Sequence, residues 1–157
     1  MECFRVIEAD EGIEEAILRR LSARGGMGGR CVSGGHPALL VVSPGAVRRG
    51  LELPGACRTV LLPGYAQSAL RELRAASAVR YGTSPQDSLT LSGRERDRMW
   101  ALLQREIVTV SGHVVERQEF SVALPPGGKE LPTLAAAGAL LLLGVSPGEL
   151  DEESAEK

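Results

Sequence analysis

The residues best equipped for chemistry lie between Tyr81 and Gln118. Tyr81-Gly82-Thr83-Ser84-Pro85-Gln86-Asp87 takes the chain out of an apolar run into a polar loop bearing hydroxyls and a carboxylate. Such a loop, at the carboxyl end of a strand in an open α/β sheet, is the usual seat of a ligand. Ser84-Pro85-Gln86-Asp87 is equally good turn chemistry, because Pro fixes φ and Asp bonds its own backbone, and a turn needs no ligand. Farther on, Gln104 and Glu106 precede Ser111-Gly112, and Glu116, Gln118 and Glu119 follow it. In a hairpin, alternate side chains share a face, so Glu116 and Gln118 would oppose Gln104 or Glu106. A carboxylate pair there suits acid–base work; the plainer outcome is a solvated face. The expected ligand-binding set is therefore Tyr81, Gly82, Thr83, Ser84, Asp87, Gln104, Glu116 and Gln118, with no catalytic residue among them.

Other chemistries find less to work with. Gly25 to Gly35 holds six glycines around Met27, Arg30, Cys31, Val32 and Ser33. Clustered backbone N–H groups can cradle an anion, but the stretch lacks a Gly-Lys-Ser/Thr ending, follows a helical pattern, and has Cys31 where a dinucleotide loop needs its third glycine. It is expected to be a linker, with phosphate or nucleotide binding as a weaker alternative. His36 and His113 fall in separate loops, too few for a histidine metal site. Cys31 near His36 is the one nucleophile–base pairing with local sense, and no Gly-x-Ser-x-Gly elbow occurs. No metal and no cofactor is expected.

These residues must be held by a framework that the hydrophobic pattern outlines. Phe4–Ile7 reads as a first strand. Glu11 to Arg24 reads as an amphipathic helix, with Ile13, Ile17, Leu18 and Leu21 on one face, acids leading and Arg trailing, and Gly25-Gly26 ending it. Ala38–Val42 and Cys57–Leu62 are continuous apolar runs, the mark of strands buried on both faces. A short helix fits Tyr65–Ala76, and Ala78–Tyr81 makes a further short strand. Ser88–Leu91 alternates as a half-buried strand, and Arg94–Arg98 reads as a solvated turn. Trp100–Val110 and Val114–Leu124 form a hairpin about a two-residue Ser111-Gly112 turn, and Thr133–Leu143 is a helix ending at Gly144. The fold class is α/β: one three-layer-like domain over 1–150 with a mainly parallel sheet, plus a C-terminal antiparallel hairpin and an Ala/Leu-rich helix. Its pseudo-halves are 1–80 and 81–150, and 151–157 is expected to be a disordered acidic tail.

Composition narrows the partners. A net charge of -2 gives no electrostatic reason for nucleic acid or an anionic membrane. The longest apolar run, Leu134–Val145, is short of the ~20 residues of a membrane span. Cys3, Cys31 and Cys57 are scattered and odd in number, which predicts neither disulfides nor a zinc cluster. With no basic, apolar leader at Met1–Asp10, a reducing cytoplasm is expected, and the Arg-, Ala- and Gly-rich usage suits a bacterial genome.

From Tyr81-Gly82 onward the order of pieces resembles the later part of the ATP-dependent Mur ligase central domain. The likeness covers about Thr59 to Leu150: a strand ending in Tyr-Gly, a polar loop, strands, a Pro/Gly turn, then Leu134-Ala135-Ala136-Ala137-Gly138-Ala139-Leu140 leading to Leu143-Gly144-Val145. It implies shared architecture without the ligase reaction. The family's phosphate loop is absent, Leu61-Leu62-Pro63-Gly64 stands at its acidic pair, and Lys129-Glu130-Leu131-Pro132 stands at its His-Asn. The expected function is a non-catalytic binding or assembly module, acting on an unknown protein partner or by self-association. The alternative is a ligand-binding regulator or enzyme using the 82–87 loop and the 104–119 face.

Overall fold

The two continuous apolar runs become adjacent parallel strands whose side chains point alternately to two cores. In the computed structural model, which describes residues 3–23, 29–30, 36–125 and 127–151, β1 is Cys3–Ile7, β2 Gly29–Arg30, β3 Leu39–Val42 and β4 Ala56–Pro63. From β3, Leu39 and Val41 enter one core and Leu40 and Val42 the other; from β4, Leu61 joins the first and Val60 and Leu62 the second. Successive strand residues point to opposite faces, so a run apolar at every position must be covered on both.

The first core lies beneath α1 (Ile13–Ala23) and α3 (Glu130–Leu142), which supply Ile13, Ile17 and Leu21 and the whole run Leu134–Leu142. Gly138 lets α3 settle close on the sheet: a Cβ there would stand 3.0 Å from Leu89 and 3.1 Å from Leu61. The second core lies beneath α2 (Pro44–Arg49) and a 3₁₀ segment, Gly64–Arg71, with Ala46, Ala66 and Leu73 packed on Leu40, Val42 and Val60.

Strand order runs β10–β7–β6–β5–β4–β3–β1–β2, where β5 is Arg74–Gly82, β6 Leu89–Arg94, β7 Arg98–Leu103 and β10 Gln118–Ala123. From β2 through β6 neighbours are parallel; β6–β7 and β7–β10 are antiparallel. The mixed, mostly parallel α/β sheet agrees with the expectation. β5 meets β6 only at Tyr81↔Leu89 and Gly82↔Thr90, so the parallel and antiparallel parts join at two rungs.

Several local expectations are corrected. The loop between β3 and β4 contains α2, opened by Ser43, whose Oγ accepts the Ala46 N–H (2.9 Å), with Pro44 in its first turn and Gly50 closing it at φ 65°. The helix expected at Tyr65–Ala76 is 3₁₀ and stops at Arg71, because Arg74 already pairs with Ala56. α3 begins three residues early, at Glu130, and carries Pro132 in its first turn, where a missing N–H costs nothing. The expected hairpin is broken: β7 pairs β10 as Leu103↔Gln118, whereas β8 (Ile107–Val108) pairs β9 (Val114–Val115) in a register shifted by one, as Ile107↔Val115. Its turn has three residues, Val110-Ser111-Gly112. Thr109 and His113 close it at 2.8 Å and Gly112 sits at φ 97°. Cys3 is disulfide-bonded and Cys57 is a free, buried thiol, against the expectation of no disulfide. Among the described residues no helix is long and apolar enough to cross a membrane. The glycine-rich stretch, apart from Gly29–Arg30, and the tail after Asp151 lie outside the described residues.

Candidate functional site

The chain leaves β1 toward β2 on one side and leaves β3 toward β4 on the other, so strand order reverses between β1 and β3. Outside the carboxyl ends of two such strands the connections diverge and leave a crevice, the general ligand position of open α/β sheets. A groove of about 1480 Å³ begins there. Ala9–Gly12 and Pro44-Gly45 form its head, and Ala136, Ala137 and Leu140 of α3 with Val122 and Leu124 give it an apolar floor.

Carboxylates of the chain itself occupy both helix entrances at the head. The Glu8 carboxylate accepts the Ile13 N–H (2.8 Å) and the Glu14 N–H (3.1 Å), capping α1 from outside. The Glu11 carboxylate accepts the Ser43 hydroxyl, the Ala9 N–H (3.0 Å) and the Gly45 N–H (2.9 Å), so an internal anion sits where α2 begins. Burial pushes the Glu11 carboxyl up, but the Ser43, Ala9 and Gly45 hydrogen bonds, with the Arg48 charge, outweigh it and hold it below the ordinary range. The fit is close: a Cβ on Gly45 would stand 2.7 Å from Glu11 Oε1.

The rim is cationic. Arg19 on α1, Arg48 and Arg49 on α2, Arg96 in the β6–β7 turn and Lys129 before α3 all border the groove and are exposed. None of these five side chains makes a hydrogen bond or ion pair among the described residues. Of the acids on the same rim, Glu11 is committed to Ser43 and Gly45 and Glu130 to Arg94 (2.6 Å), leaving Asp10 and Asp97. The uncommitted charge is positive over an apolar floor.

The residues expected to bind a ligand are placed otherwise. Gly82 ends β5, and Thr83 and Ser84 enter an exposed turn closed on itself: Ser84 N–H donates to Asp87 Oδ2 (3.1 Å) and Asp87 N–H to Ser84 O (3.0 Å). Asp87 is buried against Gly64 and Gly82. Gln104 does reach this loop, its carboxamide donating to the carbonyls of Pro85 (3.0 Å) and Asp87 (2.7 Å), so it serves as a brace. Tyr81 is fully buried and points away, donating its hydroxyl to Val42 O (2.6 Å). Burial pushes that phenol far above its usual range, helped by Tyr65 and Glu11. Glu116 and Gln118 are exposed on the far side of the hairpin break, bonded to each other through Gln118 Nε2 and Glu116 O (3.0 Å). The eight residues thus divide into a braced turn, a core tyrosine and a surface pair. His36 is exposed, and His113 lies on the hairpin corner within 3.1 Å of Ser111 Oγ.

Sequence reasoning missed Glu8, Glu11, Ser43 and Gly45. Their signal was available: an acid-rich segment after a strand, and a Ser-Pro-Gly start after another. No protein-family model matches the chain, and the search of curated proteins finds no match.

Proposed function

We propose that the chain is a non-catalytic binding module whose ligand, a small anion carrying an apolar group, lies in the groove at the strand-order reversal. The observation that carries this reading is the set of uncommitted cations, Arg19, Arg48, Arg49, Arg96 and Lys129, around an apolar floor at that place in the sheet. Glu8 and Glu11 already hold the helix entrances, so recognition falls to side-chain cations instead of backbone N–H groups. Among the described residues the one hydroxyl–carboxylate pair at the head is Ser43 with Glu11, and the hydrogen bonds that hold Glu11 below the ordinary carboxylate range make it a weak general base. The Mur ligase likeness belongs to the same proposal as shared architecture without the ligase reaction, since β4, β5, the Tyr81-Gly82 loop, β6, the hairpin and α3 follow in that order. The Cys3 disulfide withdraws the cysteine argument for a reducing cytoplasm, and the proposal needs no particular compartment.

The test is thermal denaturation with inorganic phosphate, octyl phosphate, ATP and octanol, each at rising concentration. Octyl phosphate is expected to stabilise the protein, by about 2.7 kcal/mol at 100-fold excess over Kd, and octanol to have no effect. Arg49→Glu with Arg96→Glu is expected to abolish the stabilisation while leaving the unliganded melting point near its original value. No shift with any anion, or a shift unchanged in the double variant, rules the groove out.

A further inference from the structure

Among the described residues, the strand β5 carries an open hydrogen-bonding edge in what should be the interior of the sheet. It is laddered to β4 along its length, Ala56↔Arg74 to Pro63↔Tyr81, yet on its other side it meets β6 only at Tyr81 and Gly82. No described strand pairs with the outer side of Arg74–Arg80. Ala76, Ser77 and Ala78 are exposed in succession, which a strand covered on both faces and both edges would not allow. An unpaired strand edge is a template for another strand, and proteins usually guard one with Lys, Pro or a bulge. Ala75–Val79 contains none of these guards, and its register with β4 is unbroken.

We propose that this edge receives an extended peptide segment with acidic residues flanking a small or β-branched centre, which joins the sheet as an added strand. Backbone complementarity sets the mode: the occupant must offer a row of N–H and C=O groups, and the small side chains of Ala75–Ala78 let it come close. Charge selects the partner. From Cys57 to Gly82 the chain carries four arginines against Glu72 alone; Arg58 and Arg80 already donate to Val110 O and Gln86 O, which leaves Arg74 as the exposed cation at the edge itself. Arg74 is exposed at one end of the open edge, and Arg80 stands at the other. A second copy pairing antiparallel about Ser77 would set Arg74 of each chain opposite Arg80 of the other, and like charges directly opposite destabilise a strand pair. An acid-flanked strand sets a carboxylate opposite the exposed Arg74 whichever way it runs. The surface is separate from the groove, whose lining includes no residue of β5.

The experiment uses the full chain and two labelled peptides, Glu-Val-Thr-Val-Thr-Val-Glu and the same sequence with Lys at both ends. Binding is read by fluorescence anisotropy and by amide hydrogen exchange, with light scattering over the same concentrations. The acidic peptide is expected to bind roughly fivefold more tightly than the lysine peptide at low salt, and to slow exchange at outward amides of Ala75–Val79 and nowhere in the groove. Arg74→Glu should remove the preference; its side chain is exposed, and its backbone N–H bond to Gly55 O (2.9 Å) survives the change. Failure of both peptides to bind, equal binding of the two, or unchanged exchange at Ala75–Val79 overturns the proposal. So does a concentration-dependent dimer protecting the same amides, since the occupant would then be a second copy.

Discussion

The Glu11 carboxylate and the Ser43 hydroxyl are hydrogen-bonded across the point where strand order reverses, tying the end of β1 to the first turn of α2. One side chain thus does for α2 what a bound anion does in many α/β proteins. Glu11→Ala is expected to destabilise the fold by about 1–3 kcal/mol, since it leaves the Gly45 N–H and the Ser43 hydroxyl without their acceptor. It should also make stability sensitive to sulfate, which can enter the vacated position. Urea denaturation with and without sulfate checks both parts; equal sulfate dependence in the two proteins would mean the position stays closed.

The same contact sets an acid limb. The Glu11 pKa is lowered in the folded state. Its contribution is therefore fully present above the ordinary unfolded carboxylate range and drains away as pH falls through the lower folded value. Glu11→Gln keeps the shape and removes the titration. Urea midpoints measured from neutral pH downward should fall less steeply for Glu11→Gln than for the parent.

Asp87 is wedged between two glycines. A Cβ on Gly64 would fall 1.9 Å from Asp87 Oδ1, and one on Gly82 2.5 Å from Oδ2. Asp87 is buried and its carboxylate holds the Ser84 N–H, so it cannot swing aside freely. Gly64→Ala is expected to cost about 2–3 kcal/mol, and much less in an Asp87→Ala background. A double-mutant cycle reads the difference; strict additivity would contradict the wedge.

Tyr81→Phe should cost about 1–2 kcal/mol by leaving Val42 O without its donor inside the core. The Tyr81 pKa is raised, so its stabilising effect is present below the ordinary phenol range and is lost only as pH rises beyond it. Absorbance at alkaline pH should show Tyr81 ionising together with unfolding, and the variant should lack that component.

The Cys57 thiol is pushed up to about 11 by burial. It should react with iodoacetamide near pH 8 far more slowly than a free model thiol, because little thiolate exists there. Mass spectrometry of the native protein checks this, with complete labelling expected on addition of urea.

How much of this was legible in the sequence varied with the range of the forces involved. Leu39–Val42 and Val60–Leu62 declared buried strands because apolar residues at every position fit only a sheet covered twice. α2 went unread, although Ser43, Pro44 and Gly50 are its start and stop signals. Its six residues are too few to show a helical period, and only the caps announce it. At Gly64–Arg71 the apolar spacing suggested an α-helix, but the kink at Ala66 (φ -96°, ψ 23°) and the early start of β5 leave a tighter turn. The groove was the least legible feature, because its position depends on β1 pairing with both β2 and β3. That fact belongs to the whole sheet and to no local stretch. The Ser84–Asp87 turn was legible as a turn, and its hydrogen bonds are spent in making one.

The position of α3 in the chain carries a consequence for synthesis. It leaves a ribosome after the strands and the helix that it covers, yet it packs on β3, β4, β5 and β6 and on α1. Until Glu130–Leu142 emerges, one face of the sheet, with Leu39, Val41, Leu61, Val79 and Leu89, lacks the apolar run that supplies much of its cover. The opposite face, under α2, can form much earlier from contacts within the first part of the chain. A nascent chain arrested near Pro125 should hold a half-covered sheet that binds hydrophobic dyes and chaperones, and release of α3 should end that binding in one cooperative step.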